Sequence, residues 1–339
     1  MSNAITHPAA TRTLTHRQIE NRMREPFRIS GYLFESMPSV VVAIEQAGRT
    51  GHAEAAGIYY LNDDVAHMQA AIDDVRQAVE SGVDRPALQA LLGSGGARNA
   101  IDCALWELES RICGKPVWQL AGAPENRALT TTFTLPADTP ERILASLAKF
   151  PAPRAIKLKL DGDVEADIER VRAVRGARPD IWLGVDANQG YNADTIDRLV
   201  AALVDAEVSL LEQPNRRGDE AMLDGLDCPI PLAADESILD GDELEVQYRR
   251  YDVINIKLDK CGGLTEALRM KDMVRKMGKT LMVGNMAGGS LATAPAFVLG
   301  QFCDIVDLDG PWYLAEDTLA GQLYEDGQVR MPADFWGAA

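Results

Sequence analysis

The sequence predicts an α/β fold, a modified (β/α)₈ TIM-like barrel with an α+β capping domain, and three observations predict it. After about residue 130, eight short apolar runs recur, most of them separated by amphipathic stretches at helical spacing. That alternation is the signature of parallel βαβ units. Lys159, Asp186, Glu212, Asp235 and Lys257 close five successive runs, 27, 26, 23 and 22 residues apart, which is about one βα unit each time. The first third of the chain has a different rhythm, strands followed by helices.

Taken in order, residues 1–18 are polar with no clear period and are expected to form a loose tail. Residues 19–128 are assigned to the cap. From Phe27 to Glu45 the pattern reads as two strands around a polar-aromatic turn, Gly31 to Ser36, with Val40-Val41-Val42-Ala43-Ile44 as a β-branched run. Between Ala97 and Cys113, Ile101, Leu105, Leu108 and Ile112 fall at helix spacing. Gly93-Ser94-Gly95-Gly96 ahead of it reads as a plain helix start, because no strand precedes it and no Gly-Lys-Ser/Thr follows. The barrel is assigned to 129–318, with strands at Thr131–Leu135, Ile156–Leu160, Ile181–Asp186, Ser209–Glu212, Leu232–Asp235, Val253–Lys257, Leu281–Gly284 and Ile305–Asp309. The closing segment, 319–339, is expected to return to the cap, with Gln322 to Pro332 as a hairpin. A doubly wound sheet competes, but it would gather its chemistry in one crevice instead of at many strand ends.

Composition limits the function. With 339 residues and 46% hydrophobic content, a large buried core is available. Lys plus Arg total 34 against 51 for Asp plus Glu, a net charge of −17, which repels nucleic acid and anionic membranes. Cys103, Cys113, Cys228, Cys261 and Cys303 form no CxxC pair, so reduced thiols in a cytoplasmic protein are expected. No apolar stretch approaches the length of about 20 residues that spans a bilayer, and the N-terminus shows no signal-peptide core. The expected partner is a small molecule; a homo-oligomer is left open.

The chemistry lies in charges placed where a barrel strand should be apolar. Residues at the C-terminal ends of barrel strands gather at the catalytic mouth. Lys157 and Lys159 share one strand end, with Asp186, Glu212, Asp235 and Lys257 on the following four. Burying such charges without partners costs several kcal/mol each. Converging carboxylates repel, and a divalent cation removes that repulsion. Ligands made only of carboxylate oxygen suit a hard ion, Mg²⁺ before Mn²⁺, and argue against Zn²⁺. Lysines on opposite walls suit general acid–base work, since a nearby cation lowers a lysine's pKa toward a usable base. A metal can stabilise the enediolate formed when a carbon next to a carboxylate loses its proton. The four histidines, His7, His16, His52 and His67, all precede the barrel, which disfavours a His base or a Ser-His-Asp triad.

Lys157-x-Lys159, Asp186-Ala187-Asn188, Glu212-Gln213-Pro214, Ala234-Asp235-Glu236-Ser237 and Asn255-Ile256-Lys257-Leu258-Asp259-Lys260 resemble the muconate-lactonizing branch of the enolase superfamily. Within it, the segments Ala97 to Trp106, Gly262 to Ala267 and Asp307-Leu308-Asp309-Gly310-Pro311 are similar to dipeptide epimerases of the L-Ala-D/L-Glu type. The resemblance runs from about Phe27 to the C-terminus. It implies that Asp186, Glu212 and Asp235 hold Mg²⁺, that Lys159 and Lys257 are the acid–base pair, and that Lys157 assists beside the substrate carboxylate. It further implies that Asp307 and Asp309 hold the free ammonium group of a dipeptide. The implied reaction is 1,1-proton transfer, epimerisation of a dipeptide. Racemisation of an N-acyl amino acid such as N-acetylglutamate is the alternative, with cycloisomerisation or o-succinylbenzoate synthesis behind it and a catalytically silent binding barrel as the non-enzyme reading.

Two segments depart from that pattern. Ala-Glu-selective relatives place a basic residue in the loop over the site, where Tyr32, Leu33, Phe34 and Glu35 are expected to stand. Gly284 to Ser290, with Met286, is also atypical. Tyr32, Phe34, Asn188 and Met286 are therefore the candidate side-chain contacts. An apolar side chain on the inverted residue is expected, with Glu35 leaving a cationic one open.

Overall fold

The computed structural model describes residues 12–338. A three-stranded antiparallel sheet, Thr13–Ile29, Tyr32–Gln46 and Arg49–Ala55, opens the chain. The first strand starts at Thr13, inside the stretch expected to be a loose tail; residues 1–11 lie outside the described residues. Its pairing explains the error. Leu14, in a polar neighbourhood, is 1% exposed opposite Ile44, and one apolar residue gives no visible period. The hairpin turns at Ser30 and Gly31, and Tyr32 to Ser36 belong to the second strand.

Three helices, Val65–Glu80, Arg85–Leu91 and Gly96–Cys113, complete the cap. Asp64 and Asp84 cap the first two through bonds from the His67 and Ala87 amides. The long third helix, which begins after the glycine run as expected, packs on the sheet at Gly51, where a Cβ would meet the Ala104 carbonyl at 2.1 Å. Only glycine permits that approach. Ile101, Leu105 and Leu108 are buried in this contact, but Ile112 is 52% exposed because the sheet has ended beneath it.

The barrel has eight parallel strands, Thr132–Leu135, Ala155–Lys159, Trp182–Asp186, Leu210–Glu212, Leu232–Ala234, Val253–Lys257, Thr280–Gly284 and Ile305–Asp307, hydrogen-bonded in sequence order. The eighth and first strands meet without a backbone ladder. Side chains join that seam: the Leu308 amide donates to Thr131 Oγ1 at 2.9 Å, and Thr132 Oγ1 donates to Asp307 at 2.5 Å.

The C-terminal hairpin exists, but Tyr324–Glu325 and Gln328–Val329 pair with Leu129–Thr130 beside the barrel and not with the cap. The return to the cap comes later, where Trp336 Nε1 donates to the His52 carbonyl and the Gly337 amide to Glu107. Buried carboxylates join cap to barrel. Asp259, just past the sixth barrel strand, accepts the Ala56 and Gly57 amides at 3.0 Å, and Glu54 accepts the Gly289 amide at 3.0 Å. These bonds satisfy backbone groups that would otherwise be buried without partners. Among the described residues, no helix is long and apolar enough to cross a membrane.

Candidate active site

Strand register places the charges side by side. Lys159 pairs with Asp186, and Asp186 with Glu212, as the last paired residues of the second, third and fourth barrel strands. Past those ends the chain turns sharply. Asn188, Gln189 and Gln213 have positive φ, and the Asn188 amide folds back onto Asp186 Oδ1 at 3.0 Å. Gln213 fixes the next strand end: its Oε1 accepts the Asp235 and Ser237 amides at 2.9 and 3.1 Å. The neighbour of Asp186 thus fixes its carboxylate, and the neighbour of Glu212 fixes the backbone of Asp235.

One carboxylate oxygen from each of Asp186, Glu212 and Asp235 lies within 4.8 Å of the others, and all three residues are buried. Lysines surround the triad. Lys159 Nζ donates to Asp186 Oδ2 at 2.6 Å from the second strand. Lys257 Nζ donates to Asp235 Oδ2 at 2.5 Å from the sixth, across the barrel. Lys260 Nζ holds Asp235 Oδ1 at 2.6 Å, and Asn255 Nδ2 holds Glu212 Oε1 at 2.7 Å. Lys157 bonds Asp307 and lies 3.5 Å from Glu212.

Electrostatics follow from this crowding. Burial and the neighbouring Asp186 push the Glu212 carboxyl up to about 7. Burial and Asp235 push Glu236 up to about 8. Asp235 is held well below the usual range, burial notwithstanding, by Lys257 and Lys260. Burial pulls Lys257 down, and Lys157 also lowers it as like charges should, yet Asp235 and the other carboxylates prevail and the net shift is upward. The lowered lysine pKa expected from charge proximity is thus reversed by the acids.

The donor set fits a hard dication. Six carboxyls are buried here (Asp186, Glu212, Asp235, Glu236, Asp307 and Asp309) against four lysines, 157, 159, 257 and 260. Glu236 Oε2 and Asn188 Oδ1 are buried with no hydrogen-bond partner in the protein. Such atoms call for a donor such as metal-bound water. Oxygen-only ligands and surplus negative charge suit Mg²⁺.

Above the triad, a cavity is lined by Lys157, Lys159, Asn188, Lys257, Asp307 and Asp309 from the barrel and by Phe34 and Met286 over them. Asp309 stands beyond the eighth strand, where it precedes a 3₁₀ turn, Gly310–Tyr313. Its Oδ2 accepts the Thr134 amide at 2.6 Å and the Tyr313 hydroxyl at 3.0 Å. Burial and Asp307 raise its carboxyl to about 6. Tyr32 does not line the cavity; it is 43% exposed, stacked 5.9 Å from Phe34. Leu33 and Glu35 are exposed on the alternate side of the strand and are absent from the lining.

Sequence reasoning missed Met23, Phe27, Met37, Tyr59 and Tyr60, which complete the roof. Glu236 and Lys260 were visible inside quoted motifs without being singled out. The roof had a weaker signal: a lone Tyr59-Tyr60 pair in a 3₁₀ turn, and an irregularity between Arg22 and Phe27 that no periodicity encodes.

A buried acidic triad between two lysines, at the C-terminal mouth of a capped barrel, defines a class of enzymes that bind a metal and move protons. The chain belongs to the enolase superfamily, in its mandelate racemase and muconate lactonizing enzyme group: residues 11–122 match the "Mandelate racemase / muconate lactonizing enzyme, N-terminal domain" and residues 144–334 the "Enolase C-terminal domain-like" family. It is 34% identical over 311 residues to the L-Ala-D/L-Glu epimerase of Escherichia coli, covering 91% of this chain and 96% of the relative. It is 37% identical to an N-acetyl-D-glutamate racemase of Pseudoalteromonas, over 73% of this chain and 78% of the relative. An Agrobacterium tumefaciens enolase family member with homology to dipeptide epimerases, solved with sodium and L-Ala-L-Glu, superposes with a TM-score of 0.92 at 36% identity, covering 96% of this chain and all of that one. The Methylococcus capsulatus dipeptide epimerase complexed with Mg and L-Arg-D-Lys superposes with a TM-score of 0.87 at 29% identity, covering 95% and 97%.

Proposed function

We propose that this protein is a Mg²⁺-dependent isomerase that epimerises dipeptides. The observation that carries the reading is the pair Lys159 and Lys257, rising from the second and sixth of eight strands into one cavity, each bonded to a carboxylate of the triad. Facing walls allow one lysine to remove the α-proton while the other delivers a proton to the opposite face, which is what inversion requires. Mg²⁺ held by Asp186, Glu212 and Asp235 would supply counter-charge for the negative charge developing on the substrate carboxylate. Lys157 supports that carboxylate from beside the triad. Asp307 and Asp309 receive the free ammonium of the first residue. Met37, Ile58 and Met286 pack with Phe34 and Tyr59 as an apolar roof, which favours an apolar side chain on the inverted residue. All five thiols are free, in keeping with a reducing compartment, and we place the enzyme in the cytoplasm.

The test is a dipeptide library in D₂O with Mg²⁺, read by mass increase at the second residue's α-carbon. Exchange with inversion is expected; no exchange into any member would reject the reading. The racemase reading is favoured by one observation: Asp309 already accepts two hydrogen bonds and its carboxyl is raised to about 6, so its charge is partly engaged without a ligand. An ammonium–carboxylate bond contributes roughly 1.5–3 kcal/mol, or about one to two decades in kcat/KM. Asp309→Asn should cost free dipeptides that much and N-acetylated analogues far less. Equal losses, with wild type preferring the acylated compound, would favour the racemase.

A further inference from the structure

Behind one wall of the catalytic cavity lies a second cleft, lined by Arg24, Pro26, Lys149, Phe150 and Trp312. Phe27, Thr134 and Tyr313 line both spaces. The partition between them is the edge-to-face contact of Phe27 with Tyr313, ring centroids 5.0 Å apart. The catalytic cavity has a free volume of about 100 Å³, whereas the cleft has about 330 Å³.

The bulge in the first strand builds this partition. Pairing stops after Arg22 opposite Ser36 and resumes at Phe27 opposite Phe34. Bulges redirect side chains in this way. Met23 faces the catalytic cavity, Arg24 to Pro26 face the cleft, and Phe27 stands between. The bulge is tied to the barrel through the Ala315 amide, which donates to the Arg22 carbonyl at 2.8 Å.

Asp309 sits on the same partition, bonded to Thr134 and Tyr313. An ammonium held by Asp307 and Asp309 would bring the first residue's α-carbon against this wall. With the second residue's side chain under the apolar roof, the first one would point at Phe27, and parting the Phe27–Tyr313 contact would open the way into the cleft. We propose, resting on the dipeptide reading, that the cleft receives the side chain of the substrate's first residue and selects a large aromatic or apolar one.

The cleft's chemistry supports that class. Phe27, Phe150, Trp312 and Tyr313 supply ring faces and edges, which suit aromatic partners. Its charges are engaged with one another or with the protein. Lys149 Nζ pairs with Glu25 at 2.7 Å, and Arg24 Nε donates to the Leu314 carbonyl at 2.7 Å with its guanidinium 5.7 Å from the Trp312 ring centre. A methyl side chain would leave these rings facing water.

The experiment compares kcat/KM for L-Phe-L-Leu and L-Ala-L-Leu, followed by deuterium incorporation at the leucine α-carbon, in wild type and in Ser146→Phe; Ser146 lines the cleft, and a ring there would fill it. The expected wild-type ratio is about tenfold or more in favour of the Phe-first substrate, and the variant should lower that ratio at least fivefold. A wild-type ratio of one or less, or one that Ser146→Phe leaves unchanged, overturns the inference while leaving dipeptide epimerisation intact. If neither dipeptide exchanges but N-acetyl-leucine does, the dipeptide reading itself fails and takes the inference with it. Should Ser146→Phe not fold, Lys149→Trp, at the exposed rim, blocks the same cleft.

Discussion

The barrel mouth and the cap roof meet over one cavity, and they are built on opposite plans. The mouth is charged, and its side chains rise from strand ends that parallel pairing holds in register, Lys159 beside Asp186 beside Glu212. The roof is apolar and aromatic, carried on a bulged strand and a 3₁₀ turn, with Tyr59 in edge contact with Phe34 at 5.1 Å. The difference teaches where chemistry and selectivity reside. Charges that must be placed to a fraction of an ångström sit on the rigid element, and contacts that must change with the substrate sit on the element free to vary.

Breaking the mouth should produce the largest effects. Lys159→Ala and Lys257→Ala should each abolish epimerisation, a loss of about two to four decades or more. One of them should still exchange deuterium into a single stereoisomer with retention. Full epimerase activity in either variant, measured by polarimetry, would sink the two-base mechanism. Next come the ligands. Asp186→Asn, Glu212→Gln or Asp235→Asn should lower kcat by orders of magnitude and weaken Mg²⁺ binding measured by calorimetry. EDTA should inactivate wild type and Mg²⁺ restore it; activity that survives rigorous metal removal would reject the assignment.

Changes in the roof should be milder and should track the substrate. Phe34→Ala should cost roughly tenfold in kcat/KM for dipeptides ending in leucine or phenylalanine, with little effect on L-Ala-L-Ala. Tyr32→Ala, outside the cavity, should stay within about twofold. Equal losses for every dipeptide would mean that the roof closes the site without reading the side chain.

The smallest effect on turnover should come from the joint between the two regions, where the change appears in stability. Burial raises the Asp259 carboxyl from 3.8 to about 7. The folded state therefore keeps a proton that the unfolded chain releases. The resulting stabilisation is fully present below about 3.8 and is lost as pH rises through about 7, at most about 4 kcal/mol. Asp259→Asn retains an acceptor for the Ala56 and Gly57 amides and should flatten that decline. Thermal melts of both proteins at pH 5 and pH 8 check it; parallel declines would assign the pH dependence elsewhere.

The same contrast explains what could be read from the sequence. A charge closing an apolar run is conspicuous, because burial penalises it and the spacing of βα units repeats. Lys159, Asp186, Glu212, Asp235 and Lys257 were therefore visible, and so was the barrel. Met23 and Phe27 were not, since the bulge that aims them is set by pairing with Ser36 and Phe34 and leaves no mark in the local pattern. Tyr32 was chosen and Tyr59 overlooked for a related reason. Tyr32 shares the face of Phe34 but lies at the hairpin end of the second strand, beyond the cavity, whereas the Tyr59 turn is positioned by Asp259, two hundred residues away in sequence.

Asp307 belongs both to the mouth and to the seam between the eighth and first strands, where it accepts Thr132 Oγ1 in place of a backbone ladder. The barrel's circumference is thus fastened by the same carboxylate that the substrate's ammonium would claim. On the dipeptide reading, a cation arriving there would share that carboxylate with Thr132, so the head of the substrate would meet a seam that side chains close.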